Sequence, residues 1–254
     1  MRAAVSAVGQ KLRIDTRNIH AVFQVKMPQK AHGYCVKAIF SSVFLAVAAL
    51  ASTAHALTVE DLQTAVREAL KAHPFAKPGA PTPAFSWTLE KSRTLRKTHT
   101  VAENYAASAS GVAAVNVSDQ RGSDAPVVKN RVSLRGLEQF DADDATLDVT
   151  AQGIDMPPKS GGAFTITVKK DGQSLTKTCK IGERAAASSV FAALPGEMAP
   201  IECAGNGTYR GAQVKTKTQM AWFDALGVFL LLREEADTPL GKFTETVKIK
   251  QFAQ

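Results

Sequence analysis

Val214-Lys-Thr-Lys-Thr-Gln-Met-Ala-Trp222 changes side-chain character at every step. Val214, Thr216, Thr218, Met220 and Trp222 fall on one side of an extended chain, and Lys215, Lys217, Gln219 and Ala221 on the other. A period of two belongs to a strand, whose successive side chains point to opposite faces. The alternation recurs in Phe85, Trp87 and Leu89, in Leu147 and Val149, in Phe164, Ile166 and Val168, and in Val247 and Ile249. Such runs predict an antiparallel sheet with one dry and one wet face. Turn formers separate them. Asp171-Gly172 reads as a two-residue hairpin between strands at 164–169 and 175–181. Asn206-Gly207 and Pro239-Leu240-Gly241 read as two more turns, and Gly122-Ser123-Asp124 and Gly161-Gly162 as looser loops.

Immediately downstream, Leu226-Gly-Val-Phe-Leu-Leu-Leu232 is apolar on both sides. Gly227, Val228 and Phe229 favour a strand, while the leucines and the following Glu234-Glu235 would also suit a helix. Strand is the better reading, and a strand dry on both faces needs apolar cover over each. One cover is a helix expected over 57–73. Thr58 is placed to cap it, with Asp61 three residues on. Val59, Leu62, Val66, Ala69 and Leu70 recur at helical spacing, and Pro74 ends the pattern. Four prolines within 74–83 then predict an extended connection, and the sheet occupies 84–254. Ala102 to Gly111 is too small and polar to assign.

Upstream of the helix the chain reads as a Sec-type signal peptide over 27–56. Lys30 and Lys37 precede the uncharged run 38–51, and Ala54 and Ala56 supply the two small residues that signal peptidase needs. Cleavage between Ala56 and Leu57 is expected, with Met27 as the natural start and 1–26 as an upstream extension. The apolar run is shorter than the roughly 20 residues of a spanning helix. A transmembrane barrel would need aromatic girdles, for which Trp87, Trp222, Tyr105 and Tyr209 are too few. The expected product is a single β-rich domain over 57–254, periplasmic or secreted, and not an integral membrane protein.

Removing 1–56 changes the charge balance. The whole chain carries 31 Lys and Arg against 23 Asp and Glu, but seven of those bases and one acid precede Leu57. The remaining 24 and 22 nearly cancel, and no dense basic block survives, which argues against a nucleic-acid partner. Cys35 lies in the signal. Cys179 and Cys203 remain, and two cysteines in an exported domain predict a disulfide, with Pro195-Gly196 and Pro200 letting the chain turn back between them.

Chemistry-bearing motifs are scarce. His73, at the helix end, reads as a cation that suits the helix dipole, and His99 as a solvated strand residue. No nucleophile elbow, metalloprotease helix or phosphate loop is present, so no catalytic residue, cofactor or metal site is expected. The run Asp141, Asp143, Asp144 and Asp148 reads as a solvated acidic turn, lacking the glycine and terminal Glu of an EF-hand loop.

Two architectures fit. One is mainly β, a strongly curved antiparallel sheet or incomplete barrel with one N-terminal α-helix packed on it. The other is a two-sheet sandwich pinned by Cys179–Cys203. In layout alone, signal, helix and curved sheet resemble bacterial periplasmic lipid-carrier proteins, and no motif carries the likeness. The leading functional expectation is a non-catalytic envelope protein that binds an apolar or lipid-like ligand on an incompletely filled dry face. Trp222, Leu226, Phe229 and Leu231 are the candidate lining residues. The alternative is a protein–protein module with an envelope partner and no small ligand.

Overall fold

The computed structural model describes residues 57–170, 173–209 and 211–254. The segment 27–56 read as a signal peptide, with the cleavage expected after Ala56, and the turn expected at Asp171-Gly172 lie outside the described residues. Among those described, the alternating runs become thirteen strands: β1 Phe85–Arg93, β2 His99–Tyr105, β3 Val112–Gln120, β4 Val127–Leu134, β5 Glu138–Phe140, β6 Val149–Gln152, β7 Ala163–Lys170, β8 Gln173–Ile181, β9 Ala185–Ala186, β10 Glu197–Tyr209, β11 Ala212–Phe223, β12 Val228–Thr238 and β13 Gly241–Ala253. Every pairing is antiparallel. Twelve strands follow one path, β5-β4-β3-β2-β1-β13-β12-β11-β10-β8-β7-β6, with β9 beside β10. The sheet is one nearly closed, barrel-like surface carrying one α-helix, which is the curved-sheet architecture and not the sandwich.

The apolar run after Trp222 is two strands and a turn. β11 ends at Phe223, residues 224–227 turn, and β12 starts at Val228. Here the sheet is dry on both faces, as its sequence demands. Trp222 and Phe229 join Leu62, Val66, Leu70 and Phe75 in a core under the helix. Ala221, Phe223, Val228 and Leu230, one residue out of phase, join Phe85, Trp87, Tyr105 and Val115 in a second core. The first half of β12 has no β13 partner, since their pairing begins only at Arg233. Its freed edge meets the β4–β5 corner instead, where the Phe229 N–H donates to the Arg135 carbonyl at 2.8 Å.

Arg135 fastens this corner. Its side chain is buried and donates to the carbonyls of Phe75, Lys77 (2.9 Å), Ala80 (2.7 Å) and Gly227 (3.0 Å), and it lies 5.5 Å from the Trp222 ring centre. One planar fork of donors thus binds the proline-rich connection to the β11–β12 turn. Burial lowers its pKa to about 10, still far above neutral, so the charge persists. Gly111 leaves it room: a Cβ there would collide with the Phe75 carbonyl and the Arg135 guanidinium.

Three local expectations are corrected. The helix over 57–73 is broken. Val59–Asp61 forms a 3-10 turn closed by the Asp61 carboxylate, which accepts from the Thr58 N–H at 2.8 Å and its hydroxyl at 2.9 Å. Leu62 is extended, which puts its side chain into the same core as Val66 and Leu70, and α1 runs only over Thr64–Ala72. The connection is not wholly extended, since Pro74–Ala76 is a second 3-10 turn; a proline at its first position sacrifices no hydrogen bond. Asn206-Gly207 is no turn. Both residues lie inside β10, paired with Thr176 and Leu175, and Gly207 is needed because a Cβ would strike the Ser174 carbonyl of β8.

β8 and β10 are joined by the expected Cys179–Cys203 disulfide. The two cysteines face one another in register and are both buried.

Candidate functional site

The second core does not fill the face it covers. Registers place three rows of side chains across β1, β2, β3 and β4. They read Leu89, Val101, Asp119, Val127; Trp87, Glu103, Val117, Lys129; and Phe85, Tyr105, Val115, Arg131. Val247 and Ile249 of β13 extend the same face opposite Lys91 and Leu89. It is therefore apolar along β13 and β1 and increasingly charged toward β4. Three adjoining cavities open over it, of about 510, 510 and 550 Å³, and all three touch Lys91. Together they make a trough.

At the inner end the trough joins an apolar wall of Trp87, Leu89, Leu230, Leu231 and Val247, most of it buried, to a polar wall that includes Glu103, Arg131, Gln139 and Asp141, with the segment carrying Gly136 and Leu137 beside it. At the outer end, between the β1–β2 and β3–β4 connections, it is lined by Lys91, Arg93, Arg96, Lys97 and Arg121, with Glu245 and Asp124. Arg93 is paired with Glu245, and Arg121 with Asp119 at 3.0 Å. Lys91, Arg96 and Lys97 have no acidic partner among the described residues. The bases of the outer end suit an anionic group, and the inner end offers both apolar and polar contacts.

Glu103 sits at the junction of two of these cavities. It is buried, and its carboxylate accepts from the Trp87 indole N–H at 2.8 Å, the Tyr105 hydroxyl at 3.2 Å and the Gln139 amide at 3.1 Å. Burial, with the Glu103 charge beside it, holds the Tyr105 phenol well above its ordinary pKa, so Tyr105 keeps the proton that it donates. The sequence carried a signal for this group: Glu103 falls in phase with Val101 and Tyr105, at a position where alternation calls for an apolar residue.

Of the four candidate lining residues, Leu231 lines the inner end of the trough, and Phe229 borders it while its ring packs on Phe75 and Trp222 in the core under the helix. Trp222 and Leu226 do not. Both are fully buried, Trp222 in the core under the helix and Leu226 in the other core. Of the two histidines, His73 departs from expectation, and His99 lies in a strand as expected. His73 is buried, and its Nδ1 accepts from the Phe75 N–H at 3.2 Å. Burial pushes its pKa down, with the Val149 backbone opposing, so it is no dipole-compensating cation. His99 is half-buried, lines the trough, and has its Nε2 3.8 Å from Asp119. In the acidic run, Asp141 pairs with Lys129 at 3.2 Å and Arg131 at 3.0 Å. Its backbone N–H donates to Asp144 at 2.9 Å, which closes the segment over the trough. The two bases hold the Asp141 carboxyl below its ordinary pKa against the effect of burial.

No protein-family model, curated protein or solved structure matches this chain.

Proposed function

We propose that this is an exported, non-catalytic binding protein that holds an apolar or lipid-like molecule in the trough over β13, β1, β2, β3 and β4. The observation that carries the reading is the unfilled face itself. Trp87, Leu89, Leu231 and Val247 line a cavity of about 510 Å³, together with polar groups that include Glu103, Arg131 and Gln139. Concave sites of this size with apolar side chains and a few placed polar groups are the usual form of small-ligand sites. Each methylene that enters adds about 0.8 kcal/mol. Ordered polar groups such as Glu103 would orient the occupant without reacting with it.

Titration with a fluorescent fatty acid tests this. Saturable binding at micromolar probe is expected, and substitution Leu231→Trp, which fills the inner end, should weaken it at least tenfold with little change in melting temperature. A chain that binds no probe at micromolar concentration overturns the reading and leaves an envelope protein partner as the better account.

A further inference from the structure

The strand directions bring five hairpin connections to one end of the sheet. Lys91 pairs with His99, Asp119 with Val127, Lys170 with Gln173, Tyr209 with Ala212 and Thr238 with Gly241. Cross-pairing of Arg93 with Glu245, Lys215 with Asp237 and Tyr209 with Gln173 puts these five connections on the same side of the molecule. In a nearly closed sheet they form a rim. The rim is also where the outer, cationic end of the trough opens.

All the large apolar side chains that the described residues leave exposed stand on this rim: Leu95 (91 %), Leu240 (89 %), Val127 (60 %), Val128 (58 %) and Tyr209 (42 %). The opposite end has none. Leu95 is the sharpest case, since its φ is +61, in the left-handed region that leucine avoids. Neither backbone preference nor internal packing accounts for a leucine there. Charge points the same way. Segments 93–98, 119–127 and 237–242 contain five Lys or Arg and three Asp, and Arg96, Lys97 and Lys242 have no acidic partner among the described residues.

We infer that this rim docks on an anionic lipid bilayer. The apolar tips of separate hairpins enter the headgroup region and the flanking bases face lipid phosphates. A protein partner would need a continuous surface of roughly 800 Å² per side, and single apolar residues on separate projecting turns do not make one. They do suit an interface into which each tip inserts on its own, with nearby bases drawn to its negative potential. The inference does not depend on what fills the trough, although a rim that touches lipid would set the trough mouth against the membrane.

Cosedimentation of the purified chain with vesicles of phosphatidylglycerol and phosphatidylcholine tests it. Binding should be present in the mixed vesicles, absent from pure phosphatidylcholine, and reduced by salt. Arg96→Gln and Lys97→Gln should each weaken it about fivefold, the contribution of one base near an anionic surface. The pair Leu95→Asp and Leu240→Asp should weaken it further without lowering the melting temperature, because neither side chain is packed in the fold. Lys180→Gln, at the far end of β8, should have no effect. A chain that stays in the supernatant at low salt overturns the inference. So does a Lys180→Gln effect equal to that of the rim variants, which would show only diffuse charge attraction. Because the fatty-acid titration needs no vesicles, loss of rim binding and loss of trough binding are read separately.

Discussion

Arg135 concentrates more of the fold in one side chain than any other residue described. It contacts four carbonyls, three of them 55 to 60 residues away in sequence and one 92 residues away. Arg135→Ala would leave these carbonyls without their donor in a buried corner. We expect a loss of roughly 3 kcal/mol in chemical denaturation, the usual result of breaking a buried charged network. Arg135→Lys should recover little, because a single ammonium cannot reach the four acceptors. His73 supplies a pH-dependent term. Its folded-state pKa lies below the ordinary value of 6.5, because burial disfavours the charged form. Its contribution to stability is therefore complete above pH 6.5 and is lost as the pH falls through that value toward the folded-state pKa. His73→Asn keeps an acceptor near the Phe75 N–H but does not titrate. Denaturation curves at pH 7.5 and 5 should show a smaller acid loss in this variant than in the parent chain. Neither Arg135 nor His73 can be read from neighbouring sequence, because their partners arrive only with the tertiary fold. Glu103 was partly legible, as a polar interruption in an apolar phase.

Among the elements, the strands were the most readable, because period-two alternation is a local consequence of burying one face. The runs around Phe85, Phe164, Val214 and Val247 all became strands with the expected residues buried, except Val168, which is half-buried, while of the Leu147–Val149 run only Val149 lies in a strand. The helix was read too long, since apolar spacing cannot reveal that Leu62 reaches the core better from extended backbone. Asn206-Gly207 was misread because close approach of β8 selects glycine as strongly as a turn does. The disulfide was legible from composition alone. It links β8 to β10 across 24 residues of sequence, and the chain-entropy relation assigns it about 3 kcal/mol. Replacing Cys179 and Cys203 by Ser should lower the stability by that order while the far-ultraviolet circular dichroism keeps its β signature. Alkylation of the native, unreduced chain should find neither of these thiols free.

At the scale of the whole molecule, one sheet bounds two cores of different character. In the core under the helix the Phe229 ring contacts those of both Phe75 and Trp222. The other gives way to the trough. The cover differs as well: α1 and the proline-rich connection lie over the first, while Ala187, Val190, Phe191 and Leu194 pack on part of the second and the segment around Gly136 to Asp144 borders the trough. The sequence showed an excess of apolar surface but attributed it to residues around Trp222 and Leu226, which the helix and the second core already occupy. What was legible was the mismatch, and its location required the curl of the sheet. Native mass spectrometry of the chain purified without strong detergent, compared with Leu231→Trp, tests the central claim most directly. The account predicts a bound apolar or amphiphilic molecule in a substantial fraction of the parent chain and its depletion in the variant. A parent chain that flies only at its own mass, even after incubation with lipid, would contradict it.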